Sequence, residues 1–204
     1  MRTSAAETRA RILEAARELL RATAGVDFTL ADVGAKLGIS RPAVLYHFGT
    51  KERLLLELAW EAIAEEADAG VAAVAGAPSA AEAIARFVRG IVAFHRDDLA
   101  RFALVYAVVQ VRRDLRLDAR EGGENAVRAY PVTGRMYGAV EAALLADPAW
   151  PRDRSARRAA VAAHLAALGV VTMAGMLAAV GDAMREDLDR YVDELVAMLT
   201  RGVG

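Results

Sequence analysis

The chain has 204 residues, 26 basic against 27 acidic side chains, 55% hydrophobic residues, 6% aromatics and no cysteine. At roughly 100 to 200 residues per domain this is one or two domains, and the apolar content excludes bulk disorder. The missing cysteines exclude disulfides, thiolate metal sites and thiol nucleophiles, and a net charge of −1, taken as a sum, argues against a nucleic-acid partner.

Apolar residues recur at helical spacing throughout and no run alternates with period two, so the expected fold class is all-α. The first helix is expected from about Ala5 to Ala24, with Ile12, Ala16 and Leu19 on one face. Charges at Arg2, Glu7 and Arg9 leave no apolar stretch for a signal peptide, so a cytoplasmic location is expected. Thr29-Leu30-Ala31-Asp32 is a capping box that opens a second helix, which Gly38 closes as a left-handed cap. Ser40 caps a short third helix with Pro42 in its first turn and Val44 and Phe48 facing inward. Thr50 caps a long fourth, in which Leu54, Leu55, Leu58 and Ala62 face inward until Gly70, and the Ala/Gly-rich segment from Gly70 to Pro78 reads as helix tail or linker. Ser79-Ala80-Ala81-Glu82 is another capping box, and Asp97-Asp98 restarts the pattern. The charged run from Arg112 to Glu124 reads as a loop or frayed helix, and Pro131 should kink or divide a helix from about Asn125 to Leu145. Two last helices, roughly Ser155 to Val180 and Met184 to Arg201, meet at Gly181-Asp182.

Residues 29–48 hold what a DNA-reading helix-turn-helix needs: two short helices, Gly38 in the turn, Gly34 where the helices touch, and a second helix with a free outer face. The stretch from Thr29 to Leu55, with Gly38-Ile39-Ser40 at the turn, Tyr46-His47-Phe48 ending the third helix and Lys51-Glu52-Arg53-Leu54-Leu55 starting the fourth, resembles the N-terminal domain of the TetR family of bacterial transcriptional repressors. The resemblance covers about residues 8 to 60. It implies that Arg41, Pro42 and Ala43, following Ser40, approach base edges, and that Thr29, Tyr46, His47 and Lys51 hold phosphates. The chemistry agrees, since Arg41 can donate bidentately to guanine while Pro42 and Ala43 can pack on thymine methyl groups. Family members usually carry Tyr where this chain has Leu45, which removes one phosphate contact and leaves open a ligand-binding or dimerisation module without DNA binding. Charge follows the motif: residues 1–53 hold nine basic and six acidic side chains, a local +3 against −4 for the rest.

The expected domains are therefore 1–53, reading DNA, and 54–204, regulatory and dimerising. The stretch from Ala159 to Gly181 has no charged residue and is long enough to span a bilayer, but its Ala and Gly content, His164 and Thr172 favour a buried or subunit-interface helix over a membrane span. Leu165, Leu168, Val171 and Met176, with Tyr191, Leu195 and Met198 of the last helix, are the expected homodimer interface on a palindromic operator. Trp60, Phe94, Phe102, Tyr106, Gln110, Tyr137, His164 and Met173 are the expected lining of a small-molecule effector pocket. The resemblance implies that such a ligand releases the operator; repression or activation depends on where the operator lies. An enzyme is not expected. His95-Arg96-Asp97 is superficially similar to a kinase catalytic loop but lacks the accompanying phosphate loop, and three isolated histidines give no metal spacing and no cofactor.

Overall fold

The computed structural model describes residues 4–108 and 124–203, and among these every regular element is helical. α1 (Ala5–Ala22) begins at Ser4, whose hydroxyl accepts from the Glu7 amide while the Ser4 amide donates back to the Glu7 carboxylate at 2.7 Å. α2 (Leu30–Leu37) starts with the same device at Thr29 and Asp32 and ends at Gly38, whose φ of +68° a side chain would strain. α3 (Arg41–Phe48) is capped by the Ser40 hydroxyl, which accepts from the Ala43 amide. α4 (Lys51–Val74) starts at Thr50, whose hydroxyl accepts from the Arg53 amide at 3.2 Å.

Contacts divide the chain into two compact units, Met1–Ile63 with Asp98–Ala126, and Ala64–Asp97 with Val127–Gly204. The division falls between Ile63 and Ala64, further along α4 than residue 53. The first unit also takes in α6 (Leu99–Phe102) and its π-helical continuation Ala103–Val108, because Leu104 and Val105 complete the core that Ile12, Ala16, Val33, Val44, Phe48 and Leu54 begin.

The second unit holds α5 (Ala80–Arg96), α7 (Glu124–Leu145, from Val127 on), α8 (Ala156–Val180) and α9 (Leu188–Thr200), with a 3-10 turn at Ala183–Asp187 before α9. α8 packs chiefly on α5 through Ala156, Ala160, Ala163, Ala167 and Val171, a face of small residues that permits close approach. The outer face of α8 leaves Leu165, Met173, Met176 and Val180 exposed. α8 is long and apolar enough to cross a membrane by length and composition, with mean hydropathy 1.9. Its small-residue face is instead buried within this unit.

Three local readings are settled or corrected. α4 continues past Gly70 to Val74, since Gly70 lies where a Cβ would come 2.8 Å from Met136 Cγ; the bare position admits that packing. Ser79 accepts from the Glu82 amide, but the Glu82 carboxylate turns outward to Arg86 at 2.7 Å, so only half of that capping box forms. α7 passes through Pro131 as one element, the exposed proline removing one backbone donor without ending the helix. The charged run after Arg112, and Gln110, lie outside the described residues.

Candidate nucleic-acid interface

The reading unit depends on how tightly α2 and α3 meet. A Cβ on Gly34 would lie 2.6 Å from the Ile39 carbonyl oxygen, so only glycine lets the turn close at this distance. Behind it, Val33, Val44 and Phe48 are buried, which turns Arg41, Pro42 and Tyr46 outward; Tyr46 is 85% exposed. Ala43 and His47 are half-buried, and the Tyr46 and His47 rings meet edge to face at 5.3 Å.

A cleft runs between the start of α2, the outer side of α3 and the start of α4. It brings Thr29, Arg41 and Lys51 together with Leu45 and Thr50. Thr29, Thr50 and Lys51 there already have local work. The Thr29 hydroxyl accepts from the Asp32 amide and donates to the Asp32 carboxylate at 2.8 Å; the backbone and side-chain hydrogen bonds from Thr29 hold that carboxyl below its usual range. The Lys51 ammonium donates to the Val26 carbonyl and lies 4.9 Å from the Phe28 ring centroid. Ser40 is committed to the α3 cap. The cleft thus combines an arginine, a lysine and the amide end of a 24-residue helix, the elements that favour a phosphate.

The second unit holds a polar cluster that sequence reasoning only partly named. Glu66, 2% exposed, meets His164 Nε2 through Oε1 at 2.5 Å and His95 Nε2 through Oε2 at 3.4 Å. Tyr137 Oη lies 2.6 Å from His164 Nδ1. Burial pushes the Glu66 carboxyl up, but hydrogen bonds and charge from His164 and His95 outweigh it and hold the group at about 2. Burial and the Glu66 charge together raise the Tyr137 phenol. The available signal was spacing: Leu58, Ala62 and Glu66 follow at i, i+4 on the stripe that α4 buries. Of the remaining expected effector contacts, Phe94 belongs to this unit, Trp60, Phe102 and Tyr106 belong to the first, and Met173 is exposed on α8. Among the expected interface residues, Leu165, Met176, Tyr191 and Met198 are exposed and Leu168 and Leu195 half-buried, whereas Val171 is fully buried in its own unit. No group of three His, Asp or Glu side chains among the described residues is arranged to hold a metal ion.

Two short helices locked at a glycine, an outward arginine and a cleft that holds Arg41 and Lys51 beside Glu52 form a helix-turn-helix of the kind that binds DNA. Residues 12–58 match the family model described as bacterial regulatory proteins, tetR family. Over that stretch the chain carries the DNA-binding domain of the tetR family of bacterial regulatory proteins. Solved structures of the same fold include a tetR-family bacterial regulatory protein from Rhodococcus RHA1, 22% identical with TM-score 0.65 over 100% of this chain and 98% of that one. They also include the TetR family transcriptional regulator PfmR from Thermus thermophilus, 21% identical with TM-score 0.62 over 95% and 99%. The fatty acid degradation regulator FadR from Bacillus halodurans is 15% identical with TM-score 0.67 over 98% and 96%. No curated protein matches the chain.

Proposed function

We propose that the chain is a ligand-responsive repressor that binds a palindromic operator as a homodimer in the cytoplasm and is released by a small apolar effector. The observation that carries the reading is the cleft that gathers Thr29, Arg41 and Lys51 beside an outward-facing α3. Arg41, Pro42 and Ala43 read base edges, while Thr29, Lys51, Tyr46 and His47 face the backbone. Tyr46, next to Leu45 and exposed, supplies the phenol that the family usually carries one position earlier. The role is binding and regulation rather than catalysis.

Selection from a random-sequence duplex library tests this directly. A palindromic site should be enriched, with affinity falling steeply as salt rises. Arg41→Ala should cost about 1 to 3 kcal/mol and relax one base position, whereas Lys51→Ala should weaken all sequences alike. Enrichment of no sequence at low salt would leave the alternative, a helical ligand-binding or dimerisation module without DNA binding.

Support for the dimer is the exposed apolar stripe Leu165, Met176 and Val180 of α8 with Tyr191 and Met198 of α9, of the kind two copies bury around a two-fold axis. Leu165→Glu combined with Met176→Glu should sediment as monomer where the unaltered chain sediments as dimer; an unaltered monomer at micromolar concentration contradicts the interface. Support for the effector is the Tyr137–His164–Glu66 relay, a polar end set among apolar helices.

A further inference from the structure

α3 is eight residues long and buries only Val44 and Phe48, too little for a helix to hold its own direction. Its first turn is fixed by the contact of Gly34 with the turn backbone. Its last turn exposes carbonyls that no residue of the helix can satisfy. The Leu45 carbonyl accepts from the Gly49 amide and the Phe48 carbonyl from the Thr50 amide, at 2.7 and 2.8 Å. The His47 carbonyl accepts instead from Arg9 Nη1 of α1, at 3.4 Å. The same guanidinium lies 4.2 Å from the centroid of the Phe48 ring and its Nη2 lies 3.3 Å from Glu57 Oε2 on α4. One planar cation carried by α1 therefore touches both α3, at its negative end, and α4, using a donor fork and a flat face together.

We propose that Arg9 is a positioning residue for DNA reading: it clamps the C-terminal end of α3 between α1 and α4, so that Arg41, Pro42 and Ala43 meet base edges in register. The inference rests on the DNA-binding reading above. Its competitor is a plain phosphate contact, since the Arg9 side chain is 38% exposed. The two differ in what loss of geometry, as against loss of charge, does to binding. A lysine keeps the charge but cannot donate, stack and pair at once.

The test measures affinity for the selected duplex and for random duplex, each across a salt series, on the full chain and on Arg9→Lys, Arg9→Gln and Glu57→Gln, with thermal unfolding of each. Arg9→Lys should lose about tenfold in the ratio of selected to random affinity, near the discrimination of one base contact, with random-duplex affinity and salt slope unchanged. Glu57→Gln, which removes an acid rather than a cation, should lower the same ratio. If Arg9→Lys keeps the ratio while Arg9→Gln weakens both duplexes equally and reduces the salt slope by about 0.9, Arg9 is a phosphate contact and the inference falls. If both Arg9 variants are too unstable to bind, an unchanged ratio in Glu57→Gln overturns it and a lowered one upholds it. Failure of the unaltered chain to select any duplex would instead remove the DNA-binding reading itself.

Discussion

Replacing Gly34 by alanine is expected to destabilise the reading unit by about 1 to 3 kcal/mol, the usual range for overpacking a close contact. Alanine is favoured over glycine inside a helix by roughly 0.5 to 1 kcal/mol, so propensity alone predicts the opposite sign. Contact distance decides it. The added methyl would sit 2.6 Å from the Ile39 carbonyl oxygen, with Ser40 C at 3.4 Å, and both are backbone atoms that cannot rotate aside. Relief requires moving the turn that carries Ser40 and Arg41, so operator affinity should fall further than stability does. Denaturant midpoints and duplex titrations measured together check this; a midpoint at or above that of the unaltered chain would mean that α2 and α3 are not in contact at Gly34.

Glu66 is the second position where a large effect is expected. Its carboxyl falls from the ordinary 4.5 to about 2 in the fold, which corresponds to roughly 3 kcal/mol of stabilisation. Because the folded value is the lower one, that contribution is complete above pH 4.5 and declines as pH falls toward 2, with more than half gone by about pH 3. Glu66→Gln keeps the shape but removes the charge that His164 and His95 face. It should cost about 3 kcal/mol at pH 7, in line with breaking one side of a buried pair, and should lose less stability than the unaltered chain between pH 5 and pH 3. Unfolding curves for both proteins at these pH values settle the matter. Parallel pH dependence in the two would show that the carboxylate contributes nothing.

Much of the reading unit is legible in sequence because its determinants are local. A threonine three residues ahead of an aspartate, a glycine at the turn and a serine two residues ahead of a proline each act over one turn of chain, and each stands where the spacing places it. Glu66 shows where locality stops. Its place on the buried stripe is visible, but its partners lie 29 and 98 residues further along, and only the packing of α4, α5 and α8 brings them to it. Val171 and Met173 are hard to place from sequence for another reason. A helix apolar on nearly every side carries no periodic contrast to distinguish inward from outward, so Val171 reads as interface although it is core, and Met173 reads as pocket although it is exposed. The division of the chain was equally hidden, since Leu104 and Val105 are unremarkable apolar residues until they close a core begun at Ile12.

The hydroxyl caps bear on how quickly the chain finds its fold. Ser4, Thr29, Ser40, Thr50, Ser79 and Ser155 each accept from an amide three residues ahead, so six helix starts are specified before any distant contact exists. Elements delimited this way can form in about a microsecond or less, and helical domains rich in short-range contacts fold on microsecond to millisecond scales. The slow events should then be the ones that wait on distant partners: the arrival of Leu104 and Val105 in the first core, and of His164 at Glu66 in the second.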